Sequence, residues 1–160
     1  MKESALYVEK NNNYYISTNK DLLQVDIIHD FLSNDSYWAK GIQKELVAEA
    51  IKNSPLCYGV YESETNQQIG FARVVTDFVR FSWLADVFIL PAYRGEGLSK
   101  WLIETIVKHP KLNGTRFMLV TKDAHMLYEQ YGFEKITEPE KFMMRNFNME
   151  VVMKNYELEL

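Results

Sequence analysis

The sequence predicts an α+β fold: a mixed, mainly antiparallel central sheet with helices on both faces. Three observations predict it. Residues 56–90 hold three strand-like runs in succession, LCYGVY, QIGFARVVTD and FSWLADVFIL, rich in Val, Ile, Phe, Trp and Tyr and separated by polar turns. Such short connections join antiparallel strands. The third run leads through a glycine turn into a helical pattern and then into another apolar run, RFMLV. A strand–helix–strand unit of this kind favours a parallel pair. Apolar residues make up 47% and aromatics 14% of the 160 residues, enough for one core, so residues 1–160 are read as a single domain.

The elements follow in order. Residues 1–12 are polar and are expected to fray at the start. Residues 14–17 form a short strand. Thr18 or Asn19 caps a helix over about 20–32, in which Leu23, Ile27 and Phe31 recur at helical spacing. The stretch SNDSYWAKG (33–41) is a loop. A second helix covers about 43–52 and ends at Asn53-Ser54-Pro55. The three meander strands come next, then a helix over about 96–108 with Leu98, Trp101, Leu102 and Ile106 on one face. RFMLV (116–120) is a strand, and DAHMLYEQY (123–131) a short helix stopped by Gly132. FEKI (133–136) and KFMMR (141–145) are expected to form a final pair of strands. The tail, 146–160, alternates apolar and acidic residues and is given no role. No internal repeat or low-complexity linker interrupts the chain.

Composition excludes several classes. A formal net charge of −4 argues against a nucleic-acid binder, which would show a basic excess. It leaves room for a small anionic ligand, which needs only a local positive site. One cysteine, Cys57, allows neither an internal disulfide nor a multi-thiolate metal site, and His29, His109 and His125 lack metal-ligand spacing. No metal is expected. The start has no apolar leader region, and no run approaches the roughly 18 apolar residues of a membrane span. A soluble, cytoplasmic protein is expected, with no membrane partner.

Residues 91–102, PAYRGEGLSKWL, carry the first chemical signal. A strand that breaks at Pro91, turns through Gly95 and Gly97 and enters a helix presents backbone N–H groups without intrahelical partners, on the positive end of the helix dipole. Such a turn suits a phosphate. Arg94 and Lys100 add positive charge, and Glu96 subtracts some. The Walker string is absent, and Lys100 stands where a dinucleotide fingerprint needs its third glycine. The glycines are equally compatible with a tight strand-to-helix turn and no ligand.

Arg94-Gly95-Glu96-Gly97-Leu98-Ser99 resembles the Gln/Arg-x-x-Gly-x-Gly/Ala motif of the GNAT superfamily of N-acyltransferases. About thirty residues on, the segment from Ala124 to Phe133 is similar to that family's A-x-x-L-Y-x-x-x-G-F pattern, with Leu127, Tyr128 and Gly132 in place. The resemblance spans residues 14–145. It implies an acyl-coenzyme A cosubstrate, in this family usually acetyl-CoA, and an amine acceptor. The pyrophosphate would lie on Arg94, Gly95, Glu96, Gly97, Leu98, Ser99 and Lys100. The backbone of Val87, Phe88 and Ile89 would pair with the pantetheine arm, in a gap where this strand splays from RFMLV. Ser99 departs from the usual Gly/Ala but is small. Thr121, Lys122 and Asp123 stand where the family often has asparagine.

By the same resemblance Tyr128 is the catalytic acid and reprotonates the leaving thiolate; otherwise it is a core aromatic beside Leu127 and Tyr131. Asp86, flanked along its strand by apolar Leu84 and Phe88, is either a base and acceptor-binding carboxylate or one half of an ion pair with Arg73 on the preceding strand. The oxyanion donor would be a backbone N–H near Phe88 or Ile89. Tyr37 and Trp38 either border the acceptor pocket or seal the core. His29 and His125 do not stand out as bases, and Cys57 is read as a small buried side chain. The expected activity is N-acetyl transfer to a primary amine by direct transfer in a ternary complex. The alternative is a GNAT-like domain that binds acyl-CoA without catalysis, as a sensor or interaction module. The acceptor, the acyl chain and the choice between monomer and homodimer are left open.

Overall fold

A computed structural model describes residues 4–160. Six strands form one sheet in sequence order: β1 (Tyr7–Lys10), β2 (Tyr14–Ser17), β3 (Leu56–Glu62), β4 (Gln68–Thr76), β5 (Phe81–Ile89) and β6 (Arg116–Met118). Neighbours are antiparallel except β5 and β6, which run parallel. The predicted mixed sheet is therefore present.

Strand β1 is a departure from the expected polar, frayed start; the first three residues lie outside the described residues. Asn11 and Asn12 adopt φ of 52° and 58°. Two successive left-handed residues make the tight hairpin turn whose twist matches paired strands, and asparagine tolerates that conformation.

The expected helix over 20–32 is broken into three pieces: a single 3-10 turn at Lys20–Leu22, α1 (Val25–Asp30) and a π turn at Phe31–Asp35. The break has a visible cause. Gln24 and Gln68 clamp each other, each backbone N–H donating to the other's side-chain oxygen at 2.7 and 3.0 Å. That pins residue 24 to β4 and restarts the helix after it. The π turn ends at Ser36, whose hydroxyl donates to the Leu32 carbonyl at 2.6 Å.

Helices cover both faces of the sheet, as expected. On one face α1 and α2 (Lys44–Lys52) pack Ile28, Val47 and Ile51 against Cys57, Phe71 and Phe88. Phe31 stacks on Phe88 with ring centroids 4.1 Å apart. On the other face α3 (Leu98–Val107) buries Leu98, Leu102, Ile103 and Ile106 against Tyr58, Val60, Val74 and Ile89. The alternation of Phe71 with Ala72, and of Phe88 with Ile89, sends successive side chains to the two cores.

The C-terminal third differs most from expectation. After α4 (His125–Glu129) and Gly132, at φ 89°, residues 133–136 and 141–145 form no strands. Phe133 docks its ring on Phe117 and Tyr128, but the rest of this stretch is charged or exposed, and Pro139 opens a 3-10 turn between the two runs. The unassigned tail instead forms α5 (Met149–Asn155). Asn148 caps it by accepting from the Val151 N–H at 3.2 Å, and Met153 is buried. The Gln43 side-chain amide donates to the Glu159 carbonyl and ties the tail to the start of α2.

Candidate active site

The parallel pairing of β5 and β6 covers only Phe81↔Arg116, Ser82↔Phe117 and Trp83↔Met118. Beyond it β5 continues to Ile89 without a partner on that side among the described residues, so the sheet opens there. A bulge in β5 accompanies the opening. The β4–β5 register shifts between Phe71 and Arg73, and Asp86 adopts φ of 56°. Bulges bend a strand and increase its twist, and aspartate is among the few residues that accept this conformation.

Alternation then fixes which backbone groups face the gap. The Leu90 N–H donates to the Ile69 carbonyl at 2.8 Å, towards β4. Successive residues point opposite ways, so the N–H groups of Val87 and Ile89 face the open side while the Phe88 backbone turns to β4. Phe88 was expected to offer backbone to the cofactor with its two neighbours; its position in the register commits it to the sheet, and its ring is buried on Phe31.

The glycine turn closes one end of this gap. After a 3-10 turn at Pro91–Tyr93, Gly95 and Gly97 take φ of 88° and 76°. A Cβ built at either would meet no atom within 4 Å. These glycines are thus required by backbone conformation, and the space beside them is open. The first intrahelical bond of α3 runs from the Trp101 N–H to the Gly97 carbonyl at 3.1 Å, and Gly97 provides no side-chain cap. The N–H groups of Leu98, Ser99 and Lys100 are left for an outside acceptor. Arg94 Nε donates to the Ile89 carbonyl at 3.1 Å, which anchors the guanidinium beside the strand end. Glu96 accepts from the Tyr14 hydroxyl at 2.8 Å; this bond pushes the Tyr14 phenol up to about 12.

A cavity of about 740 Å³ lies along the opened part of β5. Tyr37, Trp38, Asp86, Val87, Leu119 and Tyr128 all line it. Asp86 is doubly engaged: Oδ2 accepts from Arg73 Nε at 2.6 Å and Oδ1 from Trp38 Nε1 at 2.8 Å. The ion-pair geometry with Arg73 is therefore present. Arg73 also donates to Ser54 Oγ at 3.3 Å. Tyr37 and Trp38 remain 57% and 41% exposed, so neither is sealed into the core. Tyr37 accepts from the Lys122 N–H at 3.0 Å, and the Lys122 ammonium sits 5.6 Å from its ring centroid. The loop after α1 is thereby linked to the loop after β6, across the opening.

Tyr128 is 9% exposed. Burial, and secondarily the nearby Tyr37, pushes its phenol up to about 12. Among the described residues its hydroxyl has no hydrogen-bond partner. It lines the 740 Å³ cavity and also a second one, about 640 Å³, between β6 and Phe133. Neither histidine considered earlier joins the larger cavity: His29 Nε2 lies 3.0 Å from the Ile42 carbonyl, and His125 lines the smaller cavity. Cys57 is buried, and desolvation pushes its thiol up to about 11.

The sequence reading missed the tail. Phe147, Val152 and Tyr156 line the larger cavity. The signal that could have found them is the helical spacing of Met149, Val152, Met153 and Tyr156 behind a capping asparagine. Among the described residues, no group of three His, Cys, Asp or Glu side chains could hold a metal, and no helix is long and apolar enough to cross a membrane.

A sheet opened beside a bulged strand, with a helix N-terminus at one end and a buried tyrosine at the other, is the arrangement that the resemblance to the GNAT superfamily implies. Comparison with known proteins agrees: residues 53–135 match the acetyltransferase (GNAT) domain, and the chain belongs to that family. A Gibberella zeae protein carrying the name acetyltransferase is 33% identical over 148 residues, covering 79% of this chain and 82% of that one. A crystal structure from Xanthomonas campestris pv. campestris, assigned to the same family, is 44% identical with a TM-score of 0.79, covering 84% of this chain and 93% of that chain. A Deinococcus radiodurans structure, also named as an acetyltransferase, shares the fold alone: 13% identity and a TM-score of 0.68, covering 89% and 94%.

Proposed function

We propose that the protein transfers an acetyl group from acetyl-CoA to a primary amine, directly and within a ternary complex. The observation that carries this reading is the opening between β5 and β6, with uncommitted N–H groups at the α3 turn and Tyr128 on the adjoining cavity. The residues present fit the coenzyme: two positive-φ glycines with open space beside them, three free N–H groups and the Arg94 and Lys100 charges suit a pyrophosphate. Acetyl-CoA supplies the activated thioester.

The chain's own residues then have separable tasks. Leu98, Ser99 and Lys100 offer N–H groups to phosphate oxygens. The outward N–H groups of Val87 and Ile89 hold the arm in place, and one of them is placed to stabilise an oxyanion. Tyr128 Oη, whose phenol burial pushes up to about 12, gives its proton to the departing thiolate and regains one as the acylated nitrogen loses its second proton; the same apolar surroundings raise the basicity of that thiolate. Asp86 orients Arg73 and Trp38 at the cavity wall, while bulk water takes the amine's proton.

The test has two arms. Acetyl-CoA is expected to raise the melting temperature; no shift at millimolar ligand sinks the reading. Tyr128→Phe is expected to lower kcat by about 10²-fold, with coenzyme affinity unchanged. An unchanged kcat, with chemistry rate-limiting, would remove Tyr128 from the mechanism. Coenzyme binding without release of free thiol in a broad amine screen would favour the sensor alternative.

A further inference from the structure

The larger cavity runs from the opened part of β5, where the coenzyme arm would lie, to the tail helix. Its volume of about 740 Å³ falls in the range of pockets that enclose a whole small molecule. Its charge is also unusual. Among the described residues Arg73 is the only Lys, Arg or His in the lining, and it is committed to Asp86 at 2.6 Å. The other charged lining residues, Glu49 and Asp123, are acidic. Among the described residues the nearest other cation is Lys122, outside the lining and held over the Tyr37 ring at 5.6 Å, so an acceptor carboxylate or phosphate would be buried against a lining without an uncommitted cation, which is costly. The remaining surface is largely apolar and aromatic: Leu46, Val47 and Trp83 from the helix and sheet side, and Phe147, Val152 and Tyr156 from the tail.

We infer that the acceptor is a primary amine carried on an apolar body of aromatic size without an anionic group, and that Phe147, Val152 and Tyr156 set this preference. The inference rests on the acetyltransferase reading above. The tail lines the cavity and not the α3 turn, so its side chains are placed to act on the acceptor and not on the pyrophosphate. Phe147 and Tyr156 are 64% and 48% exposed, so their truncation leaves the fold intact.

Three probe amines separate the contributions: 2-phenylethylamine, ethylamine, which lacks the ring, and phenylalanine, which adds a carboxylate. Thiol release with saturating acetyl-CoA is expected to give 2-phenylethylamine a kcat/KM at least about tenfold above each of the others. Phe147→Ala and Tyr156→Ala should each reduce the preference over ethylamine severalfold, through the amine KM, with the KM for acetyl-CoA unchanged. Trp38 and Trp83 line the cavity, so tryptophan fluorescence should change on titrating 2-phenylethylamine into the coenzyme complex, and less in the variants. Equal or better use of phenylalanine or ethylamine overturns the inference, as does a preference that both variants leave unmoved. A melting shift with acetyl-CoA but no binding or turnover of 2-phenylethylamine also overturns it, while leaving the coenzyme reading standing. Absence of the melting shift overturns the reading on which it rests.

Discussion

Asp86 concentrates three requirements on one side chain. It holds a left-handed backbone position in the β5 bulge, it neutralises Arg73, and it accepts from the Trp38 indole. Asparagine keeps two of these, because it tolerates positive φ and retains an acceptor oxygen. It leaves the partly buried Arg73 without a counter-charge, which costs about 2 kcal/mol. Alanine loses all three, adding about 1–2 kcal/mol of backbone strain. The expected order of melting temperature is wild type, then Asp86→Asn, then Asp86→Ala. If Asp86→Asn instead melts with the wild type while its kcat collapses, the carboxylate is a base and its structural role is minor. The Arg73 partnership was readable in the sequence, because adjacent strands of a meander bring alternate residues together. The Trp38 bond was not, because it comes from a loop whose path no periodicity specifies.

Gly97 shows what an element boundary contributes. Its φ of 76° would strain any other residue by roughly 1 kcal/mol or more, although no atom stands in the way of a Cβ. Gly114 is a matched control: φ of 87°, equally open space, and a position in the turn before β6, away from the α3 N-terminus. Gly97→Ala and Gly114→Ala should therefore lower the melting temperature by similar amounts. Only Gly97→Ala should weaken acetyl-CoA binding, by about tenfold, because it re-aims the N–H groups of Leu98, Ser99 and Lys100. Equal affinities in calorimetry would mean the turn does not hold the coenzyme. The turn's backbone was legible because two glycines between a strand and an apolar helical period mark positions of positive φ. The broken first helix was not, since its apolar spacing continues through Gln24, and only the long-range clamp to Gln68 interrupts it. The two absent C-terminal strands failed for a related reason: KFMMR has strand-like composition but finds no sheet edge, and Met143 is 98% exposed.

At the scale of the whole molecule, the meander and its two cores were legible because central strands must carry apolar residues on both faces, and β3, β4 and β5 do. One consequence concerns alkaline stability. Tyr58 and Tyr61 on β3 are 0% and 1% exposed, and neither hydroxyl has a partner among the described residues. Burial pushes both phenols well above their ordinary range, and Tyr128 up to about 12. The unfolded chain would ionise these groups near pH 10. Each folded value lies above the unfolded one, so its stabilisation is complete below about pH 10 and is lost as pH rises towards and past 12. Of the ten tyrosines, the exposed Tyr7 should form phenolate without disturbing the fold. Tyr58, Tyr61 and Tyr128 should form it only in a cooperative step that coincides with loss of the circular dichroism signal. Tyr58→Phe, which removes an unpartnered buried hydroxyl, should raise stability at neutral pH by about 1 kcal/mol and move the alkaline step upward. Titration of Tyr58 and Tyr61 with the dichroism signal intact would show that water reaches β3, and that the sheet is more open than its packing implies.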